Sequence, residues 1–394
     1  MVTLKPRSSF SDPFESFPLR SSDDQFACFA LPSRIPFQET PDYPLAGLRI
    51  VIKDNIHLQG IRTSVGNRAF YNTYPPCDTS ADCIRKLLDL GVVVCGKTKL
   101  NSFGNWEEPT EYVDYQAPWN PRRDGYQSPG GSSSGSASAI AAYDWLDIAI
   151  GTDTWGSVTR PALWCGCFGL RPSQGAVSGS GVVPYVTPGV LARDLDKCRD
   201  FATKWLDLDA FTPPKLFSSI IWPTDFWSII EPDQAQLAKG FAEVLQTELN
   251  VSLEELSFKH LWNDSPPSEA NCMSLSAFIN PATASLAYDV YHHCDDFRAK
   301  ELGKTISKEE RDEGFRNIDT YTNHGTVLQS PVLAVPIAEI PYHSRITEKE
   351  ERMPFAVAIM GTPGSDLALL DTARNGLKRA GLPTAVETGK RIWK

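Results

Sequence analysis

Three pieces of this chain could together build a hydrolytic site that needs no histidine. They are Gly130-Gly131-Ser132-Ser133-Ser134-Gly135-Ser136-Ala137, Gly151-Thr152-Asp153-Thr154-Trp155-Gly156-Ser157 and Ile50-Val51-Ile52-Lys53-Asp54-Asn55. A serine becomes a nucleophile only when a base takes its proton. Histidine is the usual base, but His57, His260, His292, His293, His324 and His343 sit in no triad-like context. A Ser-His-Asp arrangement is defined by geometry rather than chain order, and the sequence nominates none. Lysine can serve instead, provided that burial lowers its pKa enough to leave it neutral. Lys53 follows Leu48-Arg49-Ile50-Val51-Ile52 directly, at the end of an apolar strand from which a side chain can enter a dry cavity. Its competing role is that of a core-edge cation paired with Asp54.

The glycines around the serines let the backbone approach closely and adopt conformations closed to other residues. A flexible Gly/Ser linker is the alternative for 130–136, but Ala137-Ser138-Ala139-Ile140-Ala141-Ala142 continues at once as packed structure. Residues 151–157 form a tight turn after a strand. Consecutive backbone N–H groups there can make an anion-binding nest, which a tetrahedral oxyanion requires.

The elements that must position these residues alternate strand and helix. Residues 48–52 read as a strand, 79–90 as a helix with Ile84, Leu87 and Leu88 in its stripe, and 92–95 as a buried strand after Gly91. A small-residue helix over 135–142, a strand over 147–150 and a further element over 165–170 follow. Helices are expected at 233–249, 283–302 and 308–318, strands at 330–336 and 355–361, and a closing amphipathic helix at 366–380. This alternation predicts α/β layers with a covered sheet in one domain over 1–394. Within it, 1–45 is a Pro/Ser-rich lead, 46–200 the catalytic core, 201–327 a variable region shaping the substrate pocket, and 328–394 the returning strands and last helix.

Two motifs point elsewhere. Gly91-Val92-Val93-Val94-Cys95-Gly96-Lys97-Thr98 matches the GxxxxGK[ST] phosphate-loop pattern. Its intervening residues are β-branched and apolar, and the helix precedes rather than follows them, so a strand is expected and not a phosphate cradle. His292-His293-Cys294 puts neighbouring side chains in different directions on a helix, so they would not converge on one metal. The nine cysteines are irregularly spaced and read as buried free thiols.

The net charge of −10 and the lack of a basic stripe argue against a nucleic-acid partner. No apolar run reaches the length of a membrane span, and the polar first residues lack the apolar centre of a secretion signal. A cytoplasmic location follows as the expectation.

Taken together, Lys53 in VIKDNI, GGSSSGSA at 130–137 and GTDTWGSVTRPA at 151–162 resemble the amidase signature family. Residues 60–66, 91–98, Asn120-Pro121, 165–172 and 175–178 fall in the family's order. The resemblance covers about 45–200 strongly and 328–380 weakly. It implies a mixed central sheet covered by helices on both faces. It also implies a Ser-Ser-Lys triad: Ser157 as nucleophile, Ser132 as the bridging serine, and Lys53 as the base reached through Ser132. Backbone N–H groups of Thr154, Trp155, Gly156 and Ser157 would form the oxyanion hole, with Ser133 and Asp153 holding the geometry. In the family the bridging serine takes part in a cis peptide bond, which would fall at Ser132.

Three departures stand out. Trp155 occupies a place usually held by glycine, where a bulky residue is disfavoured at positive φ. The interval from Ser132 to Ser157 is one residue longer than usual. Arg160 lies one place later than the family's arginine; it either pairs with an acid or clamps a substrate carboxylate. The reaction implied is hydrolysis of a small carboxylic amide, without metal or organic cofactor; a homodimer is admitted but not required. A weak or inactive family member that binds a small molecule, and an amidotransferase component, are the alternatives.

Overall fold

The computed structural model describes residues 2–5, 13–17, 19, 20, 27, 28, 30–35, 37–105, 112–183, 186–208, 217–266, 268, 274, 309 and 329–394. The helix expected at 283–302, that expected at 308–318 apart from residue 309, and the His292–Cys294 cluster lie outside the described residues.

The strands are β1 (Val2–Thr3), β2 (Leu19–Arg20), β3 (Ala27–Cys28), β4 (Arg49–Lys53), β5 (Val93–Thr98), β6 (Ile148–Asp153), β7 (Phe168–Arg171), β8 (Thr187–Ala192), β9 (Ser219–Pro223), β10 (Ser252–Leu256), β11 (Val332–His343) and β12 (Glu350–Met360). The helices are α1 (Arg68–Thr73), α2 (Asp82–Asp89), α3 (Ser134–Ala142), α4 (Thr159–Cys165), α5 (Leu195–Trp205), α6 (Thr224–Trp227), α7 (Pro232–Leu249), α8 (Phe258–Asp264) and α9 (Asp366–Arg379).

The chain divides into two compact units. The first comprises 1–212, 330–374 and 382–394, and the second 213–329 with 375–381. Eight strands of the first unit form a mixed sheet in the order β1-β5-β4-β6-β8-β7-β11-β12. Its centre is parallel, with β4 flanked by β5 and β6, and the remaining pairs are antiparallel. Ile50, Val51 and Ile52 of β4 are fully buried, as expected of a β-branched run covered on both faces. Helix α3 buries Ser134 through Ala141 on every side, which explains why its side chains are so small. In α9 all five expected core positions, Leu367, Leu369, Leu370, Ala373 and Leu377, are buried.

The second unit, in its described part, is a small βαβ layer. Strands β9 and β10 pair in parallel and α7 connects them. Among the described residues, no helix is long and apolar enough to cross a membrane.

The phosphate-loop-like string is a strand. Residues 93–98 pair with β4, and Lys97 lies inside the sheet, 1% exposed. Six described cysteines carry free thiols. Burial pushes those of Cys83, Cys95, Cys165 and Cys198 up to about 12, which keeps them protonated.

Candidate active site

The site lies at the carboxyl ends of the parallel strands β4 and β6, where open α/β sheets place their ligands. Lys53 is the last residue of β4 and is fully buried. Its Nζ is 2.7 Å from Ser132 Oγ, 2.9 Å from Thr152 Oγ1 and 3.3 Å from the Thr152 carbonyl oxygen. Burial lowers its pKa to about 7, and the nearby Asp153 carboxylate pulls in the opposite direction. This geometry suits a neutral amine. Two N–H groups can go to the two Thr152 oxygens, leaving the lone pair for the Ser132 hydroxyl proton.

The pairing of Lys53 with Asp54, weighed above as its structural role, does not occur. Asp54 Oδ1 is 2.5 Å from Lys97 Nζ, and its Oδ2 accepts hydrogen bonds from the hydroxyl and N–H of Ser64. The physical reason is strand alternation. Successive residues point to opposite faces, so Lys53 and Asp54 diverge at the strand end.

The serines come from one segment at the start of α3. The Gly131–Ser132 peptide bond is cis. The Ser132 carbonyl accepts from Asn101 N–H at 3.3 Å, and Tyr112 Oη donates to Asn101 Oδ1 at 2.7 Å. Ser133 locks this segment to β6: its hydroxyl donates to the Thr152 carbonyl and accepts from Thr152 N–H, both at 3.2 Å. Gly151 permits that approach, because a Cβ there would lie 2.7 Å from Ser133 Oγ. Ser133 N–H also donates to the Ser157 carbonyl at 2.9 Å, which sets residue 157 beside the Ser132 segment.

Asp153 organises the turn that carries Ser157. Its buried carboxylate accepts from Gly156 N–H at 2.7 Å, Val158 N–H at 2.7 Å and Thr159 N–H at 3.1 Å. The Gly156 N–H, one of the four expected oxyanion donors, is thus bonded to Asp153 inside the turn. The turn places its positive φ, +111°, at Gly156 and not at Trp155. Tryptophan at 155 therefore meets no backbone obstacle, and its side chain is 49% exposed. Arg160 lies in the first turn of α4, its guanidinium 4.6 Å above the Trp164 ring. That stacking is a third role beside the two considered from sequence.

Thr152 and Asn55 were missed by sequence reasoning, although both lie within the quoted motifs. Asn55 Nδ2 donates to Thr152 Oγ1 at 3.0 Å and to the Val183 carbonyl at 2.8 Å. Asn101 and Tyr112 left no signal, since nothing in their spacing points toward Ser132.

These features define a mixed-sheet α/β protein with a buried serine–lysine pair at its strand ends. The Amidase family model matches residues 29–218, and the chain belongs to the amidase signature family, whose members are hydrolases and amidotransferases acting on C–N bonds. Among curated relatives, the A-subunit of glutamyl-tRNA(Gln) amidotransferase from Thermus thermophilus is 39% identical over 206 residues, covering 51% of this chain and 41% of the relative. Its counterpart from Carboxydothermus hydrogenoformans is 40% identical over 303 residues, covering 69% and 58%. The chain thus spans less than two thirds of the length of either. Two solved structures share the fold. One described as a crystal structure of amidase has a TM-score of 0.63 at 20% identity, covering 87% of this chain and 86% of that one. Kluyveromyces lactis allophanate hydrolase has 0.64 at 19%, covering 89% and 65%.

Proposed function

We propose that this protein hydrolyses a small carboxylic amide to the acid and ammonia or an amine. Ser157 Oγ attacks the amide carbonyl carbon. Its proton passes to Ser132 Oγ as the Ser132 proton passes to Lys53 Nζ. The oxyanion is held by N–H groups of the 154–157 turn. The relay then runs backward and protonates the leaving nitrogen as the C–N bond breaks, leaving an acyl-enzyme at Ser157. Water, deprotonated by the same relay, releases the acid. No step draws on a metal or organic cofactor.

The observation that carries this reading is the environment of Lys53. A buried amine with a pKa of about 7, hydrogen-bonded to a serine hydroxyl, is a base poised for neutral pH. The test is covalent labelling by a fluorophosphonate together with a screen of simple amides for released ammonia. Labelling at Ser157 that disappears in Ser157→Ala, with ammonia released by the unaltered protein, is the expected result. Failure to label under any condition would favour a family member that binds a ligand without turnover.

A second reading rests on the relatives. The identity of about 40% to amidotransferase subunits supports a role in an amide-transferring assembly built on the same site. The acidic net charge of −10 weighs against contact with tRNA by this chain. Co-purification with partner subunits would decide for the second reading.

A further inference from the structure

Behind the turn that bears Ser157 stands a buried arginine that the proposed proton relay does not use. Arg171 ends β7, and its side chain is 7% exposed. Its Nη1 lies 3.4 Å from the Thr154 carbonyl and 3.9 Å from Asp153 Oδ1, and its Nη2 donates to the Ser330 carbonyl at 2.8 Å. One guanidinium therefore spans the start of the 153–157 turn and the residues just before β11. Asp153 itself is buried and closes the turn through three backbone N–H groups.

We propose that Arg171 is a positioning residue of this site: it fixes the Thr154 end of the turn and partly balances the Asp153 carboxylate, so that the pull of Asp153 on the Lys53 amine is weakened. The inference rests on the reading of Lys53 as a neutral base. A carboxylate beside a buried amine favours the ammonium form, which has no lone pair for a serine proton. Asp153 is nonetheless required to fold the turn. A cation 3.9 Å from Asp153 Oδ1 lets the carboxylate keep its hydrogen bonds while its field at Lys53 is reduced. Asp54, next to Lys53 in the chain, and Lys97 on the adjacent strand pair with each other. The 132–136 segment contributes hydroxyls only.

The test is an NMR titration of Lys53 in full-length protein labelled at lysine Cε, with the resonance assigned by its loss in Lys53→Met. In the unaltered protein the midpoint is expected at about 7. A midpoint at the ordinary lysine value there would overturn the base assignment, and with it any role for Arg171. With that midpoint established, Arg171→Gln should raise it by about half a pH unit or more. Arg171→Lys keeps the charge and should stay near the unaltered value; Arg171→Met, also uncharged, takes the place of the glutamine variant if that one does not fold. Adding Asp153→Asn to Arg171→Gln should remove the upward shift. An unchanged midpoint in Arg171→Gln, or an equal shift in Arg171→Lys, would overturn the proposal while leaving Lys53 as the base.

Discussion

Lys53 and Lys97 are both buried, on adjacent parallel strands, with Lys97 opposite Ile52 in the register. Their surroundings differ in one respect that decides what each can do. Lys97 meets a carboxylate, Asp54, at 2.5 Å, and the Thr63 hydroxyl at 3.1 Å. Lys53 meets two hydroxyls and a carbonyl. A carboxylate gives a buried lysine a fixed ionic partner, whereas burial among neutral partners lowers its pKa, as at Lys53. The first is a fixture of the sheet, and the second is the base of the proposed reaction. On that reading, burial alone does not make a lysine reactive; the lack of a bonded counter-charge does.

Replacing each lysine by methionine is the strongest way to break this comparison. Lys53→Met should lower kcat/KM by about six orders of magnitude, as loss of the base does in serine hydrolases. It should leave thermal stability equal or higher, because it strands no charge. The Thr152 carbonyl keeps the Ser133 hydroxyl, and Thr152 Oγ1 keeps Asn55. Lys97→Met removes the ionic partner of the Asp54 carboxylate and leaves it the hydrogen bonds from Ser64. It should destabilise the fold by about 3 kcal/mol in denaturant melts, with activity per folded molecule largely kept. Equal losses of activity in the two variants would erase the distinction.

The same pair shows how far the sequence could be read. The strand character of 93–98 was legible because Val-Val-Val-Cys cannot curl around a phosphate, so the match to a phosphate loop carried no weight. The partner of Asp54 was not legible, because its candidates were Lys53 beside it and a lysine on another strand. Only the register of β4 against β5 separates them. The central parallel strands and the last helix followed from apolar periodicity. Strand β8 lies in the middle of the sheet, yet Thr187-Pro188-Gly189-Val190-Leu191-Ala192 has too few β-branched residues to announce it. Lys53, Ser132 and Ser157 could be nominated because their motifs are local. Asn101, Tyr112 and Arg171 bear on the site only through tertiary packing.

Acidity offers the next sharpening. A protonated Lys53 Nζ has no lone pair, so the active fraction is the neutral one. With a pKa of about 7, kcat/KM should rise roughly tenfold per pH unit below that value and level off above it. A free lysine would instead keep the rate climbing to about pH 10. A pH–rate profile on any turned-over amide separates the two cases. An acid limb near 10 would place Lys53 in the same electrostatic class as a paired structural lysine.

The smallest effects come from the threonine beside each lysine. Thr152 Oγ1 receives Lys53 and Asn55, while Thr63 Oγ1 receives Lys97 and also contacts His57 Nδ1 at 3.0 Å. Valine at either place keeps the branched shape and removes the hydroxyl. At 152 the amine loses one of the two oxygens that orient it, so its lone pair no longer dwells on Ser132. Thr152→Val should lower kcat about tenfold with little change in KM, since the group acts on proton transfer rather than binding. At 63 the Lys97 side chain still has Asp54. Thr63→Val should cost about 1 kcal/mol of stability, the worth of an ordinary hydrogen bond, and leave kcat unchanged. A tenfold loss of kcat from Thr63→Val would mean that the two lysines share one network, and that the chemistry reaches one strand further across the sheet than the serines.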